Sequence, residues 1–458
     1  MMNSGTNPNE RNPSDCPEWQ GPPVAVFWDQ SLVWGLICLA ALESIDVPYQ
    51  LLNGSDIASG ALETCRVLVV PGGWASHKIR ALGDEGSRQI RHFVETGGGY
   101  LGFCGGAGLA LSSPPSLNLV PLGRIPLSRR LPNASGEVWI AGTPHHPAWS
   151  NLPLQIPVSV WWPSQFDYTP SEGISCIASY ADTGKDFYVA DLAVADLERE
   201  FENFEEWERT YGINLNPARL MGHPAILEAE LGRGAVVLSY PHLETPGDRW
   251  GNILFRNLLD HLDNRCSGKP RNQTQTQGRL SKADSPPTHK SLKHLAVALD
   301  STESLIRFGE RHLLWNWRNP WLLRWRRGIR GLEYGTLAVT LAFLLRQLQG
   351  MVVPGTDGDP WYDSSVALES CVVEFCDKAR TLLLEEKLSA QSGKLTKLGT
   401  VNEKVDGLRA FLFGDRMNHG GVSRKLFDLL DTMLFHTLLL QKSPLCLFMA
   451  PQTMKRPR

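Results

Sequence analysis

Three short stretches, far apart in the chain, hold residues that together could perform acyl transfer. In YLGFCGGAGLA (100–110), Cys104 stands between an apolar run and a cluster of glycines. The pattern predicts a strand, a very tight turn and the start of a helix. The turn holds the cysteine up, and glycine is needed around it because neighbouring Cβ atoms would clash. A free thiol is mostly protonated at neutral pH, so a nucleophilic Cys104 needs a base. VVLSYPHLETP (236–246) offers one, because His242 closes an apolar strand and Glu244 follows two residues later. That spacing puts both side chains on one side of an extended backbone. Glu244 can then orient the imidazole that takes the thiol proton, in a nucleophile, base and orienter arrangement. VVPGGW (69–74) ends another strand in glycines. The N–H of Gly73, and that of Gly105 just past the nucleophile, are the candidate donors to a developing oxyanion. Each part alone is bland: most cysteines at strand ends are structural, PGG is usually a turn, and His-x-Glu recurs by chance. The three together, in this chain order, point to a site.

The surrounding elements are those that would position it. VAVFWD (24–29) reads as a buried strand, and SLVWGLICLAALESI (31–45) as a helix with Ser31 as N-cap. PYQLL (48–52) and RVLVV (66–70) are further strands, and DEGSRQIRHFVET (84–96) is a helix stopped by GGG at 97–99. Alternation at this spacing predicts an α/β fold, a doubly wound parallel sheet with helices on both faces. Ligands of such sheets sit beyond the carboxyl ends of the strands, where PGGW and CGG fall. Trp28, Asp29, Trp74 and His77 lie on loops at the same ends and are candidate pocket-lining residues. From 135 to 240 the sequence is richer in strands, interrupted by an acidic segment (191–212) that reads as a solvated helix. Residues 248–262 read as the closing helix of this domain.

At 458 residues the chain exceeds one ordinary core. We expect a disordered leader (1–21) without an apolar signal core, a first domain (22–263), a polar low-complexity linker (264–290) and a separate all-α domain (291–458). Within the last, Arg311–Arg330 carries six arginines and four tryptophans. That passage suits a membrane surface, RNA stacking or, as favoured here, a pair of helices with tryptophans in the core and arginines outside. A protein partner is the expected ligand of 291–458. His145 and His146 in TPHHPAW are adjacent, but lack a carboxylate or cysteine at ligand spacing, so neither metal nor cofactor is expected. His223 reads as a strand cap, and Cys371 and Cys376 as core. A net charge of −3 argues against a strongly cationic nucleic-acid binder. Nine scattered cysteines suit a reducing cytoplasm, and the apolar runs are too short for a membrane span.

The order VVPGG, GGGYLGFCGGAG, WWPSQF (161–166) and SYPHLE resembles the class I glutamine amidotransferase-like superfamily. Within it, the chain is most similar to the N-terminal domain of biotin-protein ligases, over roughly residues 22 to 263. The resemblance implies a flavodoxin-like sheet with Cys104 as elbow nucleophile and His242 and Glu244 completing a triad. The Gly/Arg-rich adenylate-binding loop of the biotin ligases is absent. True glutamine amidotransferases carry a glutamine four residues after the nucleophile, and here that position is Gly108. The resemblance therefore implies the hydrolytic machinery, while Gly108 leaves open whether glutamine is its substrate. The expected function is an amidase or amidotransferase-like protein that forms an acyl-enzyme on a small-molecule amide. The alternative is a catalytically silent ligand-sensing or scaffold module that binds a partner through the helical domain.

Overall fold

Four apolar runs and one later strand form the parallel centre of a sheet: β1 (Val24–Phe27), β2 (Tyr49–Leu52), β3 (Val67–Val70), β4 (Gly99–Phe103) and β13 (Gly234–Ser239). A computed structural model describes residues 18–197, 204–266, 268, 287–351, 359–393, 399–414 and 420–440. These residues fall into two compact units, one within Met1–Thr276 and one within Gln277–Ser443. In the first, the strand order β2-β1-β3-β4-β13 continues through antiparallel β12 (Pro224–Leu231), β9 (Ile174–Thr183) and β6 (Ala134–Gly142). β6 also pairs β7 (Gln155–Trp161), and the short strands β5 (Gly123–Arg124) and β8 (Phe166–Asp167) make a separate ribbon. The sheet is thus mixed, with a doubly wound parallel core.

Strand parity sorts the core onto two faces. Tyr100 belongs to the cluster formed with α3 (Ala75–Glu95) and α4 (Gly105–Ala110). Phe103, of opposite parity, meets Phe255 of α7 (Arg249–Arg265) edge-on at 5.1 Å. α1 (Val33–Ser44) is apolar all round and buried along most of its length. Ser31 does not cap it. The residue before α1 is Leu32, and the Ser31 hydroxyl donates instead to Phe27 O (3.0 Å). α3 begins nine residues earlier than the periodicity suggests, because a turn around Gly83 (φ 60°, ψ −171°) joins two helical pieces. The acidic segment is not one helix. β10 (Tyr188–Val189), which pairs with β6, comes just before it, and the segment itself holds β11 (Leu192–Ala193), α5 (Val194–Leu197) and α6 (Phe204–Tyr211), while 198–203 lie outside the described residues.

Most of the expected linker, and residues 1–17 of the expected leader, lie outside the described residues. Trp19, inside that leader, is buried, with its indole N–H on Pro22 O (3.0 Å) and the Arg256 guanidinium over its ring.

The second unit consists of α8 (His289–Arg311), α9 (Gly331–Gln349), α10 (Tyr362–Gln391), α11 (Glu403–Phe413) and α12 (Gly421–Leu440). The Arg/Trp passage is not a helix pair. β14 (Trp315–Trp317) and β15 (Leu323–Trp325) form a hairpin whose loop is tied by the Asn319 side chain, accepting from Trp321 N (2.9 Å) and Leu322 N (2.8 Å). Trp315 and Trp321 are buried, and the indole of Trp315 lies so close over Gly309 that a Cβ there would clash. Cys371 and Cys376 are buried on α10.

Candidate active site

The parallel strands end side by side, and their carboxyl ends carry the candidate residues. The Cys104 N–H donates to Ser239 O (2.8 Å), continuing the β4–β13 ladder by one bond. Cys104 itself turns to φ 46°, ψ −100°, and α4 starts at the next residue. A non-glycine residue with positive φ is uncommon and carries backbone strain. The glycines around it are dictated by close approach. A Cβ on Gly105 would lie 1.8 Å from Gly73 O, and one on Gly106 would lie 2.1 Å from Val70 O. Gly73 has φ 111°, a conformation that glycine adopts freely. Among the described residues, neither the Gly73 N–H nor the Gly105 N–H donates to a protein acceptor.

Three residues past β13 the backbone is clamped. His242 N donates to Ser159 O (2.8 Å) and Thr245 Oγ1 donates to His242 O (2.7 Å). Trp161 Nε1 donates to Thr245 Oγ1 (2.9 Å), and Asn252 Nδ2 reaches the carbonyls of Leu243 (2.8 Å) and Thr245 (3.0 Å). Asp248 caps α7 and also accepts from Ser159 N (2.7 Å), and burial pushes its carboxyl up to about 6. The loop so fixed holds His242 Nδ1 at 2.7 Å from Glu244 Oε1, both side chains fully buried. Burial pushes the imidazole down, but the Glu244 carboxylate and the neighbouring Cys104 thiol outweigh it and hold His242 up to about 10. Nε2, the other ring nitrogen, is buried without an aligned hydrogen bond. The Cys104 thiol is close enough to the ring to help raise its pKa.

The structure thus brings Cys104, His242 and Glu244 together with the backbone of Gly73 and Gly105. The four loop residues read as pocket-lining differ in exposure and partners. Trp28 is fully buried and packs against Gly35, so it lines no open surface. Asp29 accepts from Gly54 N (2.7 Å), with its carboxyl raised mainly by burial. His77 Nδ1 lies 3.2 Å from Gln30 Oε1, and Trp74 is exposed.

Sequence reasoning missed Trp34, whose ring stacks on His242, and Trp162, which meets Trp34 edge-on at 6.1 Å. It also missed the partners of His146. Glu228 Oε2 lies 3.1 Å from His146 Nε2, and its Oε1 lies 3.0 Å from His261 Nε2 and 2.6 Å from Arg265 Nη1. The three side chains His146, Glu228 and His261 have a metal-binding composition. Yet His146 Nδ1 accepts from Ala148 N (3.2 Å), which puts the proton of the neutral ring on Nε2, facing Glu228. The geometry is that of a carboxylate held by three N–H donors.

The family model for the biotin-protein ligase N-terminal region matches residues 59–113, which span β3, α3 and the Cys104 turn. An uncharacterized protein of Chlamydia muridarum is 30% identical over 210 residues, 44% of this chain and 72% of that one. A glutamine amidotransferase from Thermotoga maritima aligns at 12% identity over 53% of this chain and 98% of that one, TM-score 0.31. A cytoplasmic protein from Salmonella typhimurium aligns at 10% over 52% and 98%, TM-score 0.34. The chain belongs to the same family as the Chlamydia muridarum protein, and its segment 59–113 matches the biotin-protein ligase N-terminal region.

Proposed function

We propose that the first unit is a cysteine-nucleophile amidase or amidotransferase-like enzyme acting on a small-molecule amide. The observation that carries this reading is a Cys104 held at φ 46° beside an imidazole whose far nitrogen is 2.7 Å from the Glu244 carboxylate. In the reaction, the Cys104 sulfur attacks the amide carbonyl, and the proton the thiol gives up is the one held on His242. The oxyanion gathers the unused N–H groups of Gly73 and Gly105. Collapse breaks the C–N bond, the amine leaves with the proton from His242, and a thioester remains on Cys104. Water or a second amine then releases the acyl group. Glu244 keeps Nδ1 as donor and steadies the imidazolium between the steps. The free cysteines of the described residues support a reducing, cytoplasmic setting.

The test is labelling of the full chain with a panel of carbonyl-directed electrophiles, read by peptide mass spectrometry. Wild type should modify Cys104, Cys104→Ala should lose the label, and His242→Ala should slow it by about 10²-fold or more. A wild-type chain whose Cys104 stays unmodified would instead support a silent binding module.

A further inference from the structure

Two arginines stand near Cys104 without a carboxylate between them. Arg124 closes β5, which is fixed by pairing with Phe166 of β8 and by Ile125 N on Gln165 O (3.0 Å). The Gln165 side chain ties the same loop further on, accepting from Leu131 N and donating to Arg219 O, each at 2.7 Å. The Arg124 guanidinium therefore has a defined place. Its Nη1 lies 3.7 Å from where a Cβ on Gly108 would stand, and Gly108 N bonds Cys104 O (2.9 Å), one helical turn from the sulfur. Arg130 donates from Nη1 to Ser164 Oγ, while its Nε is buried with no acceptor. Among the described residues the Arg124 side chain makes no hydrogen bond or ion pair, and no carboxylate pairs with Arg130. Burial and the charge of Arg124 both push Arg130 down, while Tyr240 and Cys104 pull it up, so the four groups share one neighbourhood. Tyr240 packs on Phe166 at 4.2 Å and sits two residues before His242.

Holding two guanidiniums together, half-buried and without a counter-ion, costs free energy in the empty protein. An anion with two coplanar oxygens would relieve it, since the guanidinium fork matches a carboxylate. We propose that Arg124 and Arg130 form a recognition subsite for a carboxylate on the substrate. This rests on the reading of Cys104 as nucleophile, and it narrows the substrate to an amide that carries a carboxylate a few bonds from the scissile carbonyl.

The probes are iodoacetate and iodoacetamide, which differ only in that charge. With either, the Cys104 sulfur displaces iodide, a C–S bond forming as the C–I bond breaks. Rates are read on the full chain by mass spectrometry of the Cys104 peptide, for wild type, Arg124→Gln, Arg130→Gln and Arg124→Lys. The expected result is that each Gln variant lowers the iodoacetate-to-iodoacetamide rate ratio about tenfold. Iodoacetamide should stay within about twofold, showing that the fold and thiol are intact, and Arg124→Lys should recover part of the ratio. An unchanged ratio in both Gln variants, or equal losses for both reagents, overturns the subsite while leaving the nucleophile in place. Failure of both reagents to modify wild-type Cys104 overturns the nucleophile itself, and the subsite with it.

Discussion

Trp34 lies flat on His242, the ring centroids 4.5 Å apart and the planes 27° from parallel. The indole comes from the first turn of α1 and covers an imidazole that Glu244 fixes only at its edge. An aromatic face over an imidazolium is attractive, and it stops the ring from swinging about its side-chain bonds. Trp34→Ala should cost about 3–5 kcal/mol of stability and slow Cys104 labelling about tenfold, with Trp34→Phe recovering most of both. Chemical denaturation and labelling kinetics read the two effects, and an unaffected labelling rate would reduce Trp34 to packing.

Glycines 105 and 108 should respond in opposite ways. Gly105→Ala must displace the Gly73 carbonyl and should cost about 3 kcal/mol. Gly108→Ala meets only the end of Arg124 and lies inside α4, so it should be neutral or stabilise by up to about 1 kcal/mol. Melting temperatures of the two variants decide this, and equal losses would show that α4 does not rest on the β3 loop.

The charge on His242 should be visible as pH-dependent stability. Its pKa is raised from an unfolded value near 6.5 to about 10, so its contribution is complete below 6.5 and fades as pH rises through 10. Urea unfolding should therefore give wild type an advantage over His242→Asn that shrinks between neutral pH and about 10. An advantage that widens over that range would mean the imidazole is neutral in the folded protein.

Glu228 should behave with the opposite sign. Burial pushes its carboxyl up, but His146, His261 and Arg265 outweigh this and hold it well below the usual carboxylate range. Its contribution is then present above the ordinary glutamate value and is lost only as pH falls through the lowered one. Glu228→Gln should cost about 2–3 kcal/mol at neutral pH, because three donors lose a charged acceptor. The gap to wild type should persist to about pH 4 in urea titrations and narrow only in stronger acid.

The parts that could be read from sequence are those whose physics is local. β3 and β4 are short apolar runs cut off by Pro-Gly-Gly and by Cys-Gly-Gly, β1 is an apolar run that stops before Asp29, and α7 shows a helical period, so each announces itself. Cys104, His242 and Glu244 are legible because the turn and the strand end are written in neighbouring residues. Arg124 and Arg130 are not, since β5 has two residues and its place depends on Gln165 and Phe166, some 40 positions away. Trp34 is hidden for a different reason: on a helix apolar all round, no residue type marks the face that meets the site. The hairpin at Trp315–Trp325 did leave a signal in Asn319-Pro320, a dipeptide that starts turns, but the surrounding leucines read as helix.

The contact of Gly105 with the Gly73 carbonyl has a consequence for turnover. With no room for even one carbon between them, the loop after β3 and the elbow after β4 form one rigid block. The two N–H groups and the thiol are thus preorganised when the chain folds. On the proposed mechanism, a carbonyl oxygen gaining charge would meet two N–H groups whose relative place this contact fixes, with little loop reorganisation during the step. A lid is therefore not what such a site needs to become competent, and its rate should depend little on solvent viscosity until product release takes over.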